Sequence, residues 1–509
     1  KSELVEIICF SQHFKVRLKR RIRLCVIMKH FFKIISLSLL IFLFTCQNKP
    51  SITTQSQEAL QHYKNAEELR FKLYYTDALS LYQKAFKIDS CFALAPLRIA
   101  KFYMNLGLED SSNYYINKAR AISVKVSDYE RLLINMNWAI FKGDDKLTKS
   151  IMDTLIRKYP NDLEVKVMHA NQKWQRLDHD GARLIFQNIL KQNPNYLLAY
   201  NNIGYLYAQK GFFKEAIKYL ENYKRLAPDQ LNPYDSLAEI YLCVGRYYEA
   251  IKLLEAAFNS KSEEIAKEDF IGTIIHLHLA EAYKNLGQYN KALSITEEAL
   301  NNYSTDYAIQ SISRFRFINI FKELNLINEM EMEFICIQGK DDILDLLLRG
   351  LLNIQKMDFR NALETLSALQ KKTDEVKDNY SKRRLFILSA YLEGELNFKT
   401  GLYNEAAKQF KLAAETYSDT TGSVHLRLMQ YLSEGKADNY NAAITGLNKI
   451  LMMNPNYAPA LLYISKFYLE SGKRTEAKSY IQHFINLWEN ADPDTPFMRE
   501  AILMQKRLS

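Results

Sequence analysis

Between Leu197 and Pro228 the apolar residues fall in two runs. Tyr200, Ile203 and Tyr207 recur at three- and four-residue steps, and beyond Gly211 the same steps carry Phe213, Ala216, Ile217, Leu220 and Tyr223. That spacing predicts two helices, each with one apolar stripe. Gly211 ends the first because glycine accepts the left-handed conformation found at helix C-termini. Pro228 cannot extend the second, and Asp229 suits the start of a new one. Gly204 and Ala216 are small where the two helices must approach. The pattern then recurs: Pro160, Pro194 and Pro228 lie 34 residues apart, as do Ala182, Ala216 and Ala250, Gly211 and Gly245, Ala66 and Ala100, and Ala85 and Ala119. A fixed period of this length predicts stacked helical hairpins, none of which buries its apolar stripe alone.

Tyr200, Ile203, Gly204, Tyr207, Gly211, Ala216, Leu220 and Pro228 occupy the signature positions of the tetratricopeptide repeat, with Tyr223 where a smaller Ala is usual, and the block resembles that family. The next block repeats the positions as Tyr234, Leu237, Ala238, Tyr241, Gly245, Ala250, Leu254 and Ala257. A further one gives Leu279, Ala280, Tyr283, Gly287, Ala292 and Ala299, and one near the C-terminus gives Ile464, Ser465, Tyr468, Gly472, Ala477 and Ile481. Weaker matches fill most of the chain after residue 58. The resemblance implies an all-α fold, a right-handed α-solenoid of about twelve hairpins, in frames starting at 59, 93, 129, 163, 197, 231, 273, 307, 343, 387, 424 and 458. The register slips around 261–272, 371–382 and 419–422. The charged stretch 371–382 is expected to join two sub-arrays, 58–376 and 383–509. Met498, Ile502 and Leu503 predict a C-terminal capping helix over the last unit.

The N-terminal region reads differently. After Met28 comes a short basic start (Lys29, Lys33), an apolar run from Ile34 to Phe44, and then Cys46. The run is too short for a membrane span, which needs about 20 apolar residues, and predicts a signal peptide over 28–45. Cys46 resembles the lipidated cysteine of bacterial lipoproteins. Leu43 fits their signature, whereas Thr45 departs from it, because Gly, Ala or Ser usually precedes the cysteine. Gln47 in place of Asp implies the outer membrane, facing the periplasm. Residues 1–27 are expected to be an upstream extension foreign to the natural protein, and 46–57 a short polar tether.

Charge changes the picture little. The chain carries 68 Lys and Arg against 58 Asp and Glu, a net +10, but residues 1–45 hold nine of the basic and two of the acidic residues. The remainder is 59 minus 56, or +3, which removes the case for nucleic-acid binding. Cys46, Cys91, Cys243 and Cys336 are not spaced as a disulfide framework, and the last three are expected to pack as small apolar residues. Catalytic and phosphate-binding motifs are absent, so neither enzymatic activity nor a cofactor is expected. His276 and His278 should point to different faces of one helix rather than share a metal. Asp178, Asp180 and Gly181 are explained by turn chemistry as readily as by a metal loop. Asp341 and Asp342 are expected to begin a helix.

In the family the first helix of each unit lines a concave groove. The resemblance places Asn171, Trp174 and Gln175 there, then Asn201, Tyr205, Ala208 and Gln209, then Asn232, Asp235, Glu239 and Leu242, then His278, Glu281, Lys284 and Asn285. Aromatic anchors among amides and acids suit an extended peptide or a partner helix. Family members that grip a C-terminal carboxylate use Lys and Asn at fixed positions. Tyr63, Glu67, Arg98 and Lys101 stand there instead, so that role is not expected. The function implied is an envelope-anchored scaffold for protein or peptide partners. The alternatives are the input domain of a sensory or regulatory protein, and more remotely a glycan-binding or enzymatic protein.

Overall fold

The computed structural model describes residues 52–509 apart from 73, 106–108, 266–268, 303–306, 338–341, 377–378 and 418–422. Cys46, the signal sequence, residues 1–27 and Asp341 lie outside the described residues. From Thr53 onward the chain forms one unit. Its described residues form 25 α-helices and no strand. None of these helices is long and apolar enough to cross a membrane.

The helices pair in sequence as a right-handed solenoid. The first six pairs are Gln57–Phe71 with Tyr75–Ile88, Leu94–Asn105 with Glu109–Ile122, Asp128–Phe141 with Asp145–Lys158, Leu163–Gln175 with His179–Gln192, Leu197–Gln209 with Phe213–Leu226, and Asn232–Cys243 with Tyr247–Ile265. The next six are Asp269–Asn285 with Tyr289–Asn302, Tyr307–Leu324 with Ile327–Ile337, Asp342–Gln355 with Phe359–Glu375, Asn379–Lys399 with Tyr403–Tyr417, Val424–Lys436 with Tyr440–Met453, and Ala458–Glu470 with Arg474–Leu487. Pro496–Leu508 closes the array.

In ten of the hairpins one residue sets the reversal. From the third unit to the twelfth, the turn between the two helices contains a residue with positive φ: Gly143, Leu177, Gly211, Gly245, Gly287, Asn325, Met357, Gly401, Asp438 and Gly472. Its left-handed backbone reverses the chain and lets the following N–H groups bond back to the last turn, as Phe212 N does to the Tyr207 carbonyl. Close packing follows from the small residues. A methyl group on Gly204 would collide with Leu220, its partner on the second helix.

The register slips at 261–272 and 371–382 lengthen helices: Tyr247–Ile265 has 19 residues and Asn379–Lys399 has 21. The apolar core continues across the second of these, where Leu369, Leu385 and Leu392 share one cluster. Thr53 and Gln55, within the stretch 46–57, are held against the array. The Thr53 N–H and hydroxyl donate to the Glu130 carboxylate, which also closes a capping box with Ser127, and the Gln55 N–H donates to Asp89.

The solenoid coils tightly enough for separate turns to meet. One core cluster joins Tyr74 of the first unit, the fifth to seventh units, and the eleventh, twelfth and final helices. Asn456 Nδ2 donates to the Gly245 carbonyl at 2.9 Å, and Asn454 Nδ2 to the Tyr247 hydroxyl at 3.0 Å. One unit further on, the Asp492 N–H donates to the Gly287 carbonyl at 3.0 Å, while Trp488 is buried against Tyr289. The loops that end the eleventh and twelfth units thus sit on the hairpin turns of the sixth and seventh.

Two expectations need correction. The closing helix turns Ala501, Met504 and Leu508 inward, with Phe497 and Met498 partly covered, and leaves Ile502 and Leu503 exposed. The steps from 497 to 501, 504 and 508 follow the helical period better than Met498, Ile502 and Leu503 do, and they decide the buried face. Cys91 and Cys336 are exposed and Cys243 half-buried. Cys91 falls in the turn after Asp89 and Cys336 on the outer face of its helix, so neither reaches the core.

Candidate binding surface

First helices of neighbouring units pack on one another, as those of the sixth, seventh and eighth units do. They form the inner layer of the coil, and the side chains they turn inward are largely polar. Arg98 stands at the centre of one cluster. Its Nε lies 2.7 Å from the Glu67 carboxylate and its Nη2 2.7 Å from Glu164, so one buried guanidinium links the first, second and fourth units. Tyr82 and Arg70 also donate to Glu67. Burial alone would raise the Glu67 pKa, but Arg98 and Arg70 outweigh it and hold the carboxyl at about 2. Lys101 faces the same cluster. Burial and the neighbouring charge of Arg98 bring its ammonium down to about 8.

A second cluster runs through the fifth to eighth units. Tyr205 donates to Glu239 at 2.6 Å, and His278 Nδ1 meets the Asp235 carboxylate at 2.7 Å. Burial disfavours protonation of His278, but Asp235 more than compensates and raises its pKa. Glu281 receives Lys284 at 3.0 Å and Arg316 at 2.9 Å, and against the cost of burial these two cations hold its carboxyl at about 2. Further along, Lys322 bridges to Glu395 at 2.7 Å and to the Tyr391 hydroxyl at 3.0 Å. Lys466 meets Glu500 of the closing helix at 2.6 Å.

The residues assigned to the groove therefore divide. Asp235, Glu239, His278, Glu281 and Tyr205 lie together on the inner layer and pair with one another or with adjacent units. Asn232 is buried and accepts from Tyr223, while Asn285 donates to Glu281 and accepts from Trp488 through its carbonyl. Trp174 Nε1 donates to Gln209 Oε1 at 2.7 Å. What stays open is a stretch of amides on the fourth and fifth units. Asn171 and Gln175 are exposed, and Asn201 Oδ1 is buried without a hydrogen-bond partner.

Arg316, Lys322, Glu395 and Glu323, which accepts from Tyr289 at 3.0 Å, carry much of this network but were not among the groove positions. Part of the network did leave a signal in the sequence, as complementary residues about one period apart, although Lys322 and Glu395 are 73 residues apart. Tyr205 and Glu239 are separated by 34 residues, Arg316 and Glu281 by 35, and Lys466 and Glu500 by 34.

The loci considered for metals have other partners. His276 Nδ1 contacts the Gly272 carbonyl and its ring stands edge-on to Phe258, away from His278. Asp178 caps its helix by accepting from the Gly181 N–H, and Asp180 pairs with Lys210 at 2.7 Å.

Family models named tetratricopeptide repeat match residues 197–230 and 276–306, the fifth unit and most of the seventh. Two of its hairpins thus match the tetratricopeptide repeat. Among solved structures the tetratricopeptide solenoid is similar to a chain of the APC/C hetero-tetramer Cut9-Hcn1, with 15% identity and a TM-score of 0.43 over 88% of this chain and 84% of that one. It is also similar to yeast Tom70, with 14% identity and a TM-score of 0.37 over 88% of this chain and 95% of that one. A search of curated protein sequences found no match. Tetratricopeptide arrays serve as protein-interaction scaffolds, and this chain has that architecture.

Proposed function

We propose that the protein is a non-enzymatic scaffold, held at a bacterial envelope by lipid on Cys46, that takes peptide or protein segments along the inner layer of its solenoid. The observation that carries the partner-binding reading is the open amide stretch. Saturated ion pairs flank it on both sides, whereas Asn171 and Gln175 are exposed and the Asn201 carbonyl oxygen is left without a donor. Amide side chains match the N–H and C=O groups of an extended peptide, and a buried acceptor without a partner gains when a ligand N–H reaches it. The anchoring part of the reading rests on the sequence Leu43-Phe44-Thr45-Cys46 after an apolar run. With Thr53 and Gln55 fixed against the array, few residues separate Cys46 from the first unit, so the scaffold would lie close to the bilayer.

The test is cross-linking and affinity recovery from detergent-solubilised envelopes with the native chain, Asn171→Arg and Cys46→Ser. Recovery of one defined complex that Asn171→Arg weakens supports the inner-layer reading, and its loss from the membrane fraction with Cys46→Ser supports the anchor. A complex indifferent to Asn171→Arg would overturn the first, and unchanged membrane association the second.

A further inference from the structure

Beside the seam where the eleventh unit meets the sixth lies a groove of about 710 Å³, within the range of ligand-binding clefts. It is outside the inner layer. Hairpin turns of the fifth and sixth units form one wall, and the two helices of the eleventh unit form the other. Phe212, Val244 and Met452 make it apolar, and two of these are far out in solvent: Phe212 is 51% and Met452 84% exposed. Singly exposed apolar side chains are ordinary, but here they line one cleft.

The rim is charged and one-sided. Lys214, Arg427 and Lys449 line the groove against a single carboxylate, Glu215, so its net charge is three minus one, or +2. Among the described residues none of the three cations is ion-paired, and Arg427 spends only its Nε, on the Ser423 hydroxyl at 3.1 Å. This contrasts with the inner layer, where most cations have a carboxylate within 3 Å. It also contrasts with the seam beside it, where Asn454 and Trp488 already cover the turns at Gly245 and Gly287.

We infer that this groove docks an acidic amphipathic segment of a partner protein, with apolar side chains seated against Phe212, Val244 and Met452 and carboxylates set on Lys214, Arg427 and Lys449. An apolar floor supplies affinity, and unpaired cations at its edge select charge and fix register. The inference is independent of the inner-layer reading, and the array would then carry two binding faces.

The experiment titrates the full chain with a fluorescent amphipathic peptide of about four helical turns, Leu and Phe on one face and Glu on the other, against a counterpart with Lys in place of Glu. The acidic peptide is expected to bind at least about tenfold more tightly, and its advantage to shrink as salt is raised. Lys214→Glu with Lys449→Glu should abolish the preference, and Met452→Glu should weaken the acidic peptide in particular. All three side chains are exposed, so an unchanged melting transition shows that the fold is intact. Asn171→Arg should leave this binding unaffected. Equal binding of the two peptides, or binding of neither, overturns the inference. So does concentration-dependent self-association abolished by Lys214→Glu with Lys449→Glu, which would assign the groove to a second copy. Phosphatidylglycerol vesicles that displace the peptide and lose their hold on the same variant would assign it to a membrane surface.

Discussion

The indole Nε1 of Trp488 donates a hydrogen bond of 3.0 Å to the backbone carbonyl of Asn285, 203 residues earlier in the chain. Asn285 is the last residue of its helix, where carbonyls have no partner within the helix. Trp488 supplies one and at the same time fills the space beside Tyr289, Phe484 and Phe497. Trp488→Ala is expected to cost about 3–5 kcal/mol in denaturant unfolding. Hydrogen exchange should also quicken at the Asn290 amide, which donates to Asp492. Unaltered exchange there would mean that the seam contributes nothing.

Gly287 and Gly401 share nearly the same backbone, with φ of 76° and 83°. A methyl group on Gly401 would meet nothing, whereas one on Gly287 would strike Ala491 and Trp488. Both alanine variants should lose about 1–2 kcal/mol to left-handed strain. Gly287→Ala should lose appreciably more, because it also separates the two turns of the coil. Equal melting temperatures for the two variants would argue against docking at this turn.

Met357 occupies the same left-handed turn position with φ of 62°, and its side chain is 56% exposed. Met357→Gly removes the strain at a smaller cost in unfolded-chain entropy, so it should stabilise the ninth unit by about 0.5–1 kcal/mol. A drop in stability would show that the thioether packs more than its exposure implies.

Arg98 is buried and serves two carboxylates, so Arg98→Met takes its ion-pair partner from Glu164 and leaves Glu67 to Arg70 and Tyr82. A loss of about 3–5 kcal/mol is expected. Adding Glu67→Gln and Glu164→Gln should recover part of it, because the uncompensated charge is then gone. Lys101→Met should stabilise by about 1–3 kcal/mol, since its ammonium is already disfavoured by burial and by Arg98.

The same groups set the response to pH. Glu67 and Glu281 are held at about 2 in the fold, and Glu164 and Glu395 are also lowered. A depressed carboxyl contributes stability that is complete above its unfolded value and lost as pH falls toward its folded one. Unfolding free energy should therefore drop between pH of about 4.5 and about 2, by on the order of 2–3 kcal/mol for each of the first two. His278 behaves in reverse: its raised pKa adds stability below about 6.5 that fades as pH rises through the folded value. His278→Gln should flatten that upper part of the profile and leave the acid limb in place.

The fifth unit shows how far the chain could be read in advance. Tyr200, Gly204, Gly211, Ala216 and Pro228 each mark a helix face, a close approach or a chain reversal, and the structure uses them so. In the fourth, eighth, ninth and eleventh units the turn keeps its backbone but fills it with Leu177, Asn325, Met357 and Asp438, so the punctuation that glycine provides is missing. The inner layer was legible by position, since Tyr205, Asp235, Glu239 and His278 do share it. Their pairing was legible only in part: Tyr205 and Glu239 are one period apart, whereas Asp235 and His278 are 43 residues apart, and helical spacing gives a residue's face without its partner. Contacts between turns of the coil, such as Asn456 with Gly245, depend on the accumulated superhelical rotation of several units and leave no periodic trace.

That long-range seam has a consequence for synthesis. At roughly 5–20 residues per second, the ribosome makes the Gly245 and Gly287 turns about 10–40 seconds before the loops that cover them exist. Over that interval the nascent sixth and seventh units present Tyr247 and Tyr289 without their eventual neighbours, Asn454 and Trp488. A solenoid whose units touched only their immediate neighbours could mature hairpin by hairpin as it emerged. In this one the middle of the chain completes its packing only after the last unit is released, and until then those turns are the surface on which a chaperone or a second nascent chain would settle.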